Sequence, residues 1–175
     1  MKLFLENPLN LTEDDIFKPY SFEEFIQQRL KDCTLNSDGT YSCEGDVDLS
    51  GLGLTVLPVK FKEVKGDFHC HNNKLTTLKG APRYVDGNFS CQYNKFVTLE
   101  GAPKEVSGGF WCGHNKLTSL KGAPEKVGGE FDCQYNKLTS LKGAPEHAGR
   151  IFWCDDNSVS VRELRKTIKR DYLII

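Results

Sequence analysis

Phe68-His-Cys70-His-Asn-Asn73-Lys-Leu75-Thr-Thr-Leu78-Lys-Gly-Ala-Pro82 is a phrase that this chain repeats. Its landmarks return as Phe89, Cys91 and Asn94, as Phe110, Cys112 and Asn115, as Phe131, Cys133 and Asn136, and as Phe152, Cys154 and Asn157. Each step is 21 residues, with no insertion or deletion. A fixed period in the twenties signals a solenoid, whose coils cannot bury their apolar faces alone and are stable only when stacked. In Phe-x-Cys the period is two, so Phe and Cys share one face of a short strand. Parallel stacking at about 4.8 Å turns them into continuous inward ladders. The recurring Asn stands where the chain must turn. Leu75 and Leu78, with their counterparts, supply more core, and Val85, Val106, Val127 and Ala148 close the back. Gly-Ala-Pro at 80–82, 101–103, 122–124 and 143–145 argues against a long helix there. Proline cannot donate and restricts the residue before it, so a turn or a short 3₁₀ segment is expected.

The pattern Phe-x-Cys-x-x-Asn-x-Leu resembles the core of a leucine-rich repeat, L-x-L-x-x-N/C-x-L, with Phe and Cys in the strand positions that usually carry leucine. In full, Gly-x-Phe-x-Cys-x-x-Asn-x-Leu-Thr-Ser-Leu-x-Gly-Ala-Pro-x-x-Val looks like the compact leucine-rich-repeat proteins of bacterial viruses. Asp46-Val-Asp-Leu-Ser-Gly51 and Leu54-Thr-Val-Leu57-Pro58 resemble the opening coil of that group. The resemblance spans about Asp38 to Asn157. It implies an α+β repeat solenoid, a parallel β stack in which each Asn amide satisfies turn backbone and links coil to coil. It also implies a protein made in the cytoplasm of an infected bacterium, with binding and blocking of a host defence protein as its role.

Outside the regular coils the chain divides into caps. Residues 1–32 are expected to form a helical N-terminal cap. Ser21-Phe-Glu-Glu24 is a capping box, Phe22, Phe25, Ile26 and Leu30 form one apolar stripe, and an earlier turn is expected at Thr12. Residues 33–44 read as a hairpin around Asp38-Gly39. The solenoid occupies 45–157. Its first coil, 45–65, is degenerate: a 21-residue offset sets Val47 on Phe68, Leu49 on Cys70 and Val64 on Val85, while Leu52 replaces the Asn. In 158–175, Ser160-Val-Arg-Glu163 opens a capping helix to about Arg170, followed by the apolar Leu173-Ile-Ile175. Helical caps at both ends are thus expected, since solenoid ends need covering.

The chain of 175 residues has a formal net charge of -1, which offers no bulk attraction to nucleic acid or membrane. No apolar run reaches the roughly 18 residues of a membrane span. The short N-terminus, soon acidic, does not read as a secretion signal, so a cytoplasmic protein is expected. Five of seven cysteines occupy the inward repeat position, where packing rather than metal binding is expected. Cys33 and Cys43 face each other across the hairpin; they could pair if oxidised, although an intracellular protein would keep them as thiols. The four histidines read as incidental surface groups, His69 and His71 forming the one i, i+2 pair. No phosphate loop, nucleophile elbow or paired acid signature is found, so no catalytic residue, cofactor, metal or small-molecule substrate is expected.

The outward strand positions, free of core duty, vary most. Read along the stack they are Asp67, Asn88, Gly109, Glu130 and Ile151; His69, Ser90, Trp111, Asp132 and Trp153; and His71, Gln92, Gly113, Gln134 and Asp155. One residue further come Asn72, Tyr93, His114, Tyr135 and Asp156. Trp111 and Trp153 are the chain's two tryptophans, two coils and so about 10 Å apart, with Asp132 between them. Exposed Trp and Tyr on a rigid sheet are the usual material of protein-binding hot spots. The expected site is therefore a concave β face of Trp111, Trp153, Asp132, Tyr93, Tyr135, Glu130, His69, His71 and Asp155 that grips another protein, a bacterial host factor. The other readings are a structural or oligomeric assembly protein, and a nucleic-acid-binding or nucleic-acid-mimicking one using the basic C-terminal helix or the acidic N-terminus. Lys74, Lys95, Lys116 and Lys137 run beside this face and read as a solvated edge.

Overall fold

The computed structural model describes residues 21–160 together with 173 and 174. It is a parallel β solenoid with turns of 21 residues. Each coil contributes one strand to each of two sheets. The front sheet has seven strands: β3 (Val47–Asp48), β5 (Phe68–His69), β7 (Phe89–Ser90), β9 (Phe110–Trp111), β11 (Phe131–Asp132), β13 (Phe152–Trp153) and β14 (Leu173–Ile174). The back sheet also has seven: β1 (Cys33–Leu35), β2 (Thr40–Cys43), β4 (Lys60–Val64), β6 (Tyr84–Val85), β8 (Glu105–Val106), β10 (Lys126–Val127) and β12 (His147–Ala148). The valines expected only to close the back therefore lie in a second sheet, parallel throughout except for the antiparallel pair β1–β2.

Register follows the sequence repeat. Val47 pairs with Phe68, Phe68 with Phe89, Phe89 with Phe110, Phe110 with Phe131 and Phe131 with Phe152. The five phenylalanines are stacked ring on ring at 5.2, 5.2, 5.5 and 4.9 Å. Cys70, Cys91, Cys112, Cys133 and Cys154 form the neighbouring ladder and are buried thiols. The offset also holds in the degenerate first coil, where Val47, Leu49 and Leu54 are fully buried.

The recurring Asn builds the turn. The Asn94 side-chain oxygen accepts the Leu75 N–H of the preceding coil at 2.9 Å. Its Nδ2 donates to Cys70 O of that coil and to Cys91 O and Gln92 O of its own. Asn73, Asn115, Asn136 and Asn157 repeat this set. Buried backbone groups at a bend would otherwise go unpaired. At Gly-Ala-Pro the chain makes a tight turn: Ala81 N–H donates to Leu78 O, and Gly80 sits at φ 100°. That conformation demands glycine at the third turn position.

At the N-terminal end, α1 (Phe22–Arg29) starts at the expected capping box: Ser21 Oγ accepts from Glu24 N–H, and Glu24 accepts from Ser21 N–H. Ile26 and Leu30 enter the core, and Arg29 donates to Asp48 O. The hairpin β1–β2 pairs Cys33 with Cys43, and a disulfide joins them rather than the two thiols expected of an intracellular chain. Directly paired positions on adjacent strands bring the sulfurs together.

Helical caps at both ends are not what the described residues carry. Their one helix is the eight-residue α1. At the other end the described element is a strand, β14, which pairs in parallel with β13. The helical turn expected at Thr12, and the C-terminal helix expected beyond its cap at Ser160, fall outside the described residues.

Candidate functional site

The outer face of the front sheet is built by alternation. With Phe and Cys committed inward, the residues before, between and after them must point away from the core. In the middle row, Asp48, His69, Ser90, Trp111, Asp132 and Trp153 stand in register. Asp132 pairs with Trp111 on one side and with Trp153 on the other, as the spacing predicts. All three are half-buried. The side chains of Trp111 and Asp132 lean opposite ways along the strand. A Cβ built on Gly109 would lie 3.0 Å from the Trp111 ring, so the indole leans back over Gly109. A Cβ on Gly113 would lie 3.3 Å from both Asp132 carboxylate oxygens, so the carboxylate leans forward over Gly113. The two glycines make the floor on which ring and carboxylate rest.

Asp132 Oδ1 accepts the Gln134 N–H at 2.9 Å. Burial pushes its carboxyl above the ordinary aspartate range, and Asp155 and Glu130 push the same way, against the Gln134 bond and His114. Gln134 Nε2 donates to Asp155 Oδ2 at 2.6 Å, tying the next coil to this cluster.

The row before the phenylalanines carries a second side-chain ladder. Asp46 Oδ1 accepts Asp67 N–H, Asp67 Oδ1 accepts Asn88 N–H, and Asn88 Oδ1 accepts Gly109 N–H, at 2.8, 2.6 and 2.8 Å. Gly109 has no side chain with which to continue it. At this point a notch of about 300 Å³ opens, lined by Asn88, Gly108, Gly109, Trp111, Gly129, Glu130 and Arg150, among others. Glu130 thus lies at the notch, beside the Trp111 ring.

Tyr93 and Tyr135 are not on the strands. They occupy the bend after the strand, where Asn72, Tyr93, His114, Tyr135 and Asp156 all sit at φ between 51° and 56°. Left-handed backbone on non-glycine residues is uncommon, and here it recurs every coil because the Asn ladder fixes the bend behind it. The rings of Tyr93, His114 and Tyr135 stack at 4.3 Å per step. The Asp156 carboxylate accepts from Tyr135 and holds its phenol up. His114 is the residue that sequence reading missed. The repeat sets it in the same row as both tyrosines, but its residue type reads as an incidental surface histidine.

His69 and His71 lie two coils from Trp111 and form their own group. Their rings meet edge to face at 5.8 Å, and His69 Nε2 lies 3.8 Å from Asp67 Oδ2. Burial, and then His69, depress the His71 value, while Asp48 opposes. Among the described residues no group of three or more His, Cys, Asp or Glu is placed to hold a metal ion. The ladder thiols are poor nucleophiles: burial pushes Cys154 up to about 11 and Cys70, Cys91, Cys112 and Cys133 up as well. Among the described residues no helix is long and apolar enough to cross a membrane.

No protein-family model matches this chain, and no curated protein matches it either.

Proposed function

We propose that this chain is a non-enzymatic binding module of leucine-rich-repeat type that takes another protein on the outer face of its front sheet. The observation that supports this reading is the placement of both tryptophans. The repeat leaves the middle outward row free to hold any residue, yet it holds Trp111 and Trp153 on either side of the half-buried Asp132. Half-buried indoles on a rigid sheet offer large contact area at low entropic cost, as hot spots do. Glu130 and Asp155 belong to the same patch, and Tyr93 and Tyr135 form its rim through the stack with His114. His69 and His71 extend the face two coils away. The resemblance to the leucine-rich-repeat proteins of bacterial viruses makes a cytoplasmic inhibitor of a bacterial host defence protein the role that fits best.

The test is partner capture from bacterial lysate with wild type and with a Trp111→Ala, Trp153→Ala double variant. The double variant should fold, because neither indole belongs to the ladders, and should lose the partner. About 2 kcal/mol or more per ring is the usual scale of an aromatic hot spot. Retention at parental affinity by a folded double variant would overturn the assignment.

A further inference from the structure

The outward rows of the front sheet carry acids alone, with Arg150 at their margin, where it lines the notch with Glu130 and Trp111. The three rows from Asp46 to Asp155 hold Asp46, Asp48, Asp67, Glu130, Asp132 and Asp155, and neither lysine nor arginine. Five of these acids accept hydrogen bonds within the fold. Asp46 and Asp67 accept backbone N–H groups in the side-chain ladder. Asp48 faces Arg29 of α1 at 3.4 Å. No ion pair within 4.0 Å reaches Glu130, Asp132 or Asp155 from the described residues. Elsewhere the coils do pair their charges, as Lys121 with Glu100, Lys126 with Glu105 and Lys104 with Glu125. These three acids stand together on the face that carries the indoles.

Resting on the protein-binding reading above, we propose that the bound segment is basic and that an arginine of the partner seats between Trp111 and Trp153 on Asp132. The row sets the Trp111 indole and the Asp132 carboxylate on neighbouring strands in register, with Trp153 on the next strand. A guanidinium suits that pair: its plane stacks on indole while its edge donates two parallel bonds to a carboxylate. A lysine ammonium offers the charge without the plane. Glu130 and Asp155 add negative charge near Asp132, whose Oδ1 already accepts Gln134 N–H. A cation at this point would relieve the crowding that burial and the two acids impose on Asp132.

The chain supplies its own probe, since its two tryptophans both lie in the site. Short synthetic peptides of one neutral background, carrying arginine, lysine, citrulline or glutamate at the same positions, are titrated while indole fluorescence is followed. The arginine peptide should bind, and binding should weaken as salt is added. Citrulline keeps the shape without the charge, and should bind at least about tenfold more weakly, the scale of a lost charge-assisted hydrogen bond. Asp132→Asn and Glu130→Gln should weaken the arginine peptide by a similar factor, while Glu125→Gln on the back turn should not. Melting curves confirm that each variant is folded. Equal binding of citrulline and arginine peptides, or preference for glutamate, overturns the cationic inference and leaves the protein-binding reading standing. Absence of response to the arginine peptide overturns it too. The protein-binding reading itself stands or falls on lysate capture with the double tryptophan variant.

Discussion

At the residue scale the strongest constraints come from ladders that repeat one side chain in every coil. Phe110 is fully buried between Phe89 and Phe131, and the flanking coils are pinned by their own hydrogen bonds. Phe110→Ala should therefore leave a cavity and cost about 3–5 kcal/mol, measured by urea denaturation. Asn115→Ala removes the acceptor for Phe96 N–H and the donor for Cys91 O and Cys112 O, all buried, so a loss of about 3 kcal/mol is expected. Asp132 works the other way. Folding raises its carboxyl above the ordinary range, so its stabilising contribution is complete below the unfolded-state value and is lost as pH rises through the folded-state one. Asp132→Asn keeps an acceptor for Gln134 N–H and carries no charge at any pH. It should melt above wild type at neutral pH, the gap closing on acidification, while it binds the arginine peptide less well. Much of this was legible in the sequence, because a period of 21 leaves one way to stack the coils and period two then sorts Phe and Cys inward. His114 was not. Its role depends on left-handed backbone at the bend, and nothing in the residue types Asn, Tyr, His, Tyr and Asp announces a shared conformation.

At the scale of elements, two-residue strands make little structure on their own, and the turns between them decide the geometry. The back sheet shows this. Gly-Ala-Pro forces a tight turn, after which the Glu105–Val106 class of segment is already extended and beside its copy in the next coil, so it pairs. Reading valine only as back packing missed that sheet, since one apolar residue per coil gives no strand periodicity. The missing side-chain ladder at Gly109 was equally hidden, because Asp46, Asp67 and Asn88 look like ordinary surface polars until their oxygens meet the next coil's N–H. Its consequence is testable. Gly109→Asn would place an acceptor where Asn88 and Asp67 already work and fill the notch beside Trp111. The added Cβ must displace the indole edge by a few tenths of an ångström. A gain of up to about 1 kcal/mol in denaturation is expected from the new hydrogen bond, together with changed tryptophan fluorescence. Element α1 closes the end with Ile26 and Leu30 and is tied by Arg29 to Asp48. Leu30→Ala should cost about 2–5 kcal/mol, a core-sized loss that a detached arm would not show.

For the whole molecule, nearest-neighbour stacking means that coils should be separable from one another while the site is not. Two deletions of 21 residues make the contrast. Removing 67–87 joins Gly66 to Asn88, so Asp46 meets Asn88 N–H, Val47 meets Phe89 and the Asn94 amide meets Leu54 N–H, each in the relation the repeat already uses. Removing 109–129 joins Gly108 to Glu130, so Phe89 meets Phe131 and Asn88 Oδ1 meets Glu130 N–H, closing the ladder that Gly109 interrupts. Both proteins should fold, each unfolding cooperatively with a smaller dependence on denaturant because less surface is exposed. Their binding should diverge. The first loses His69 and His71 but keeps Trp111, Asp132 and Trp153 in adjacent coils, so it should retain the captured partner and the response to the arginine peptide. The second keeps Asp132 and Trp153 but loses Trp111, its glycine floor and the notch, and should lose both. Equal retention by the two would move the site away from Trp111, and equal loss would place essential contacts on the His69–His71 coil.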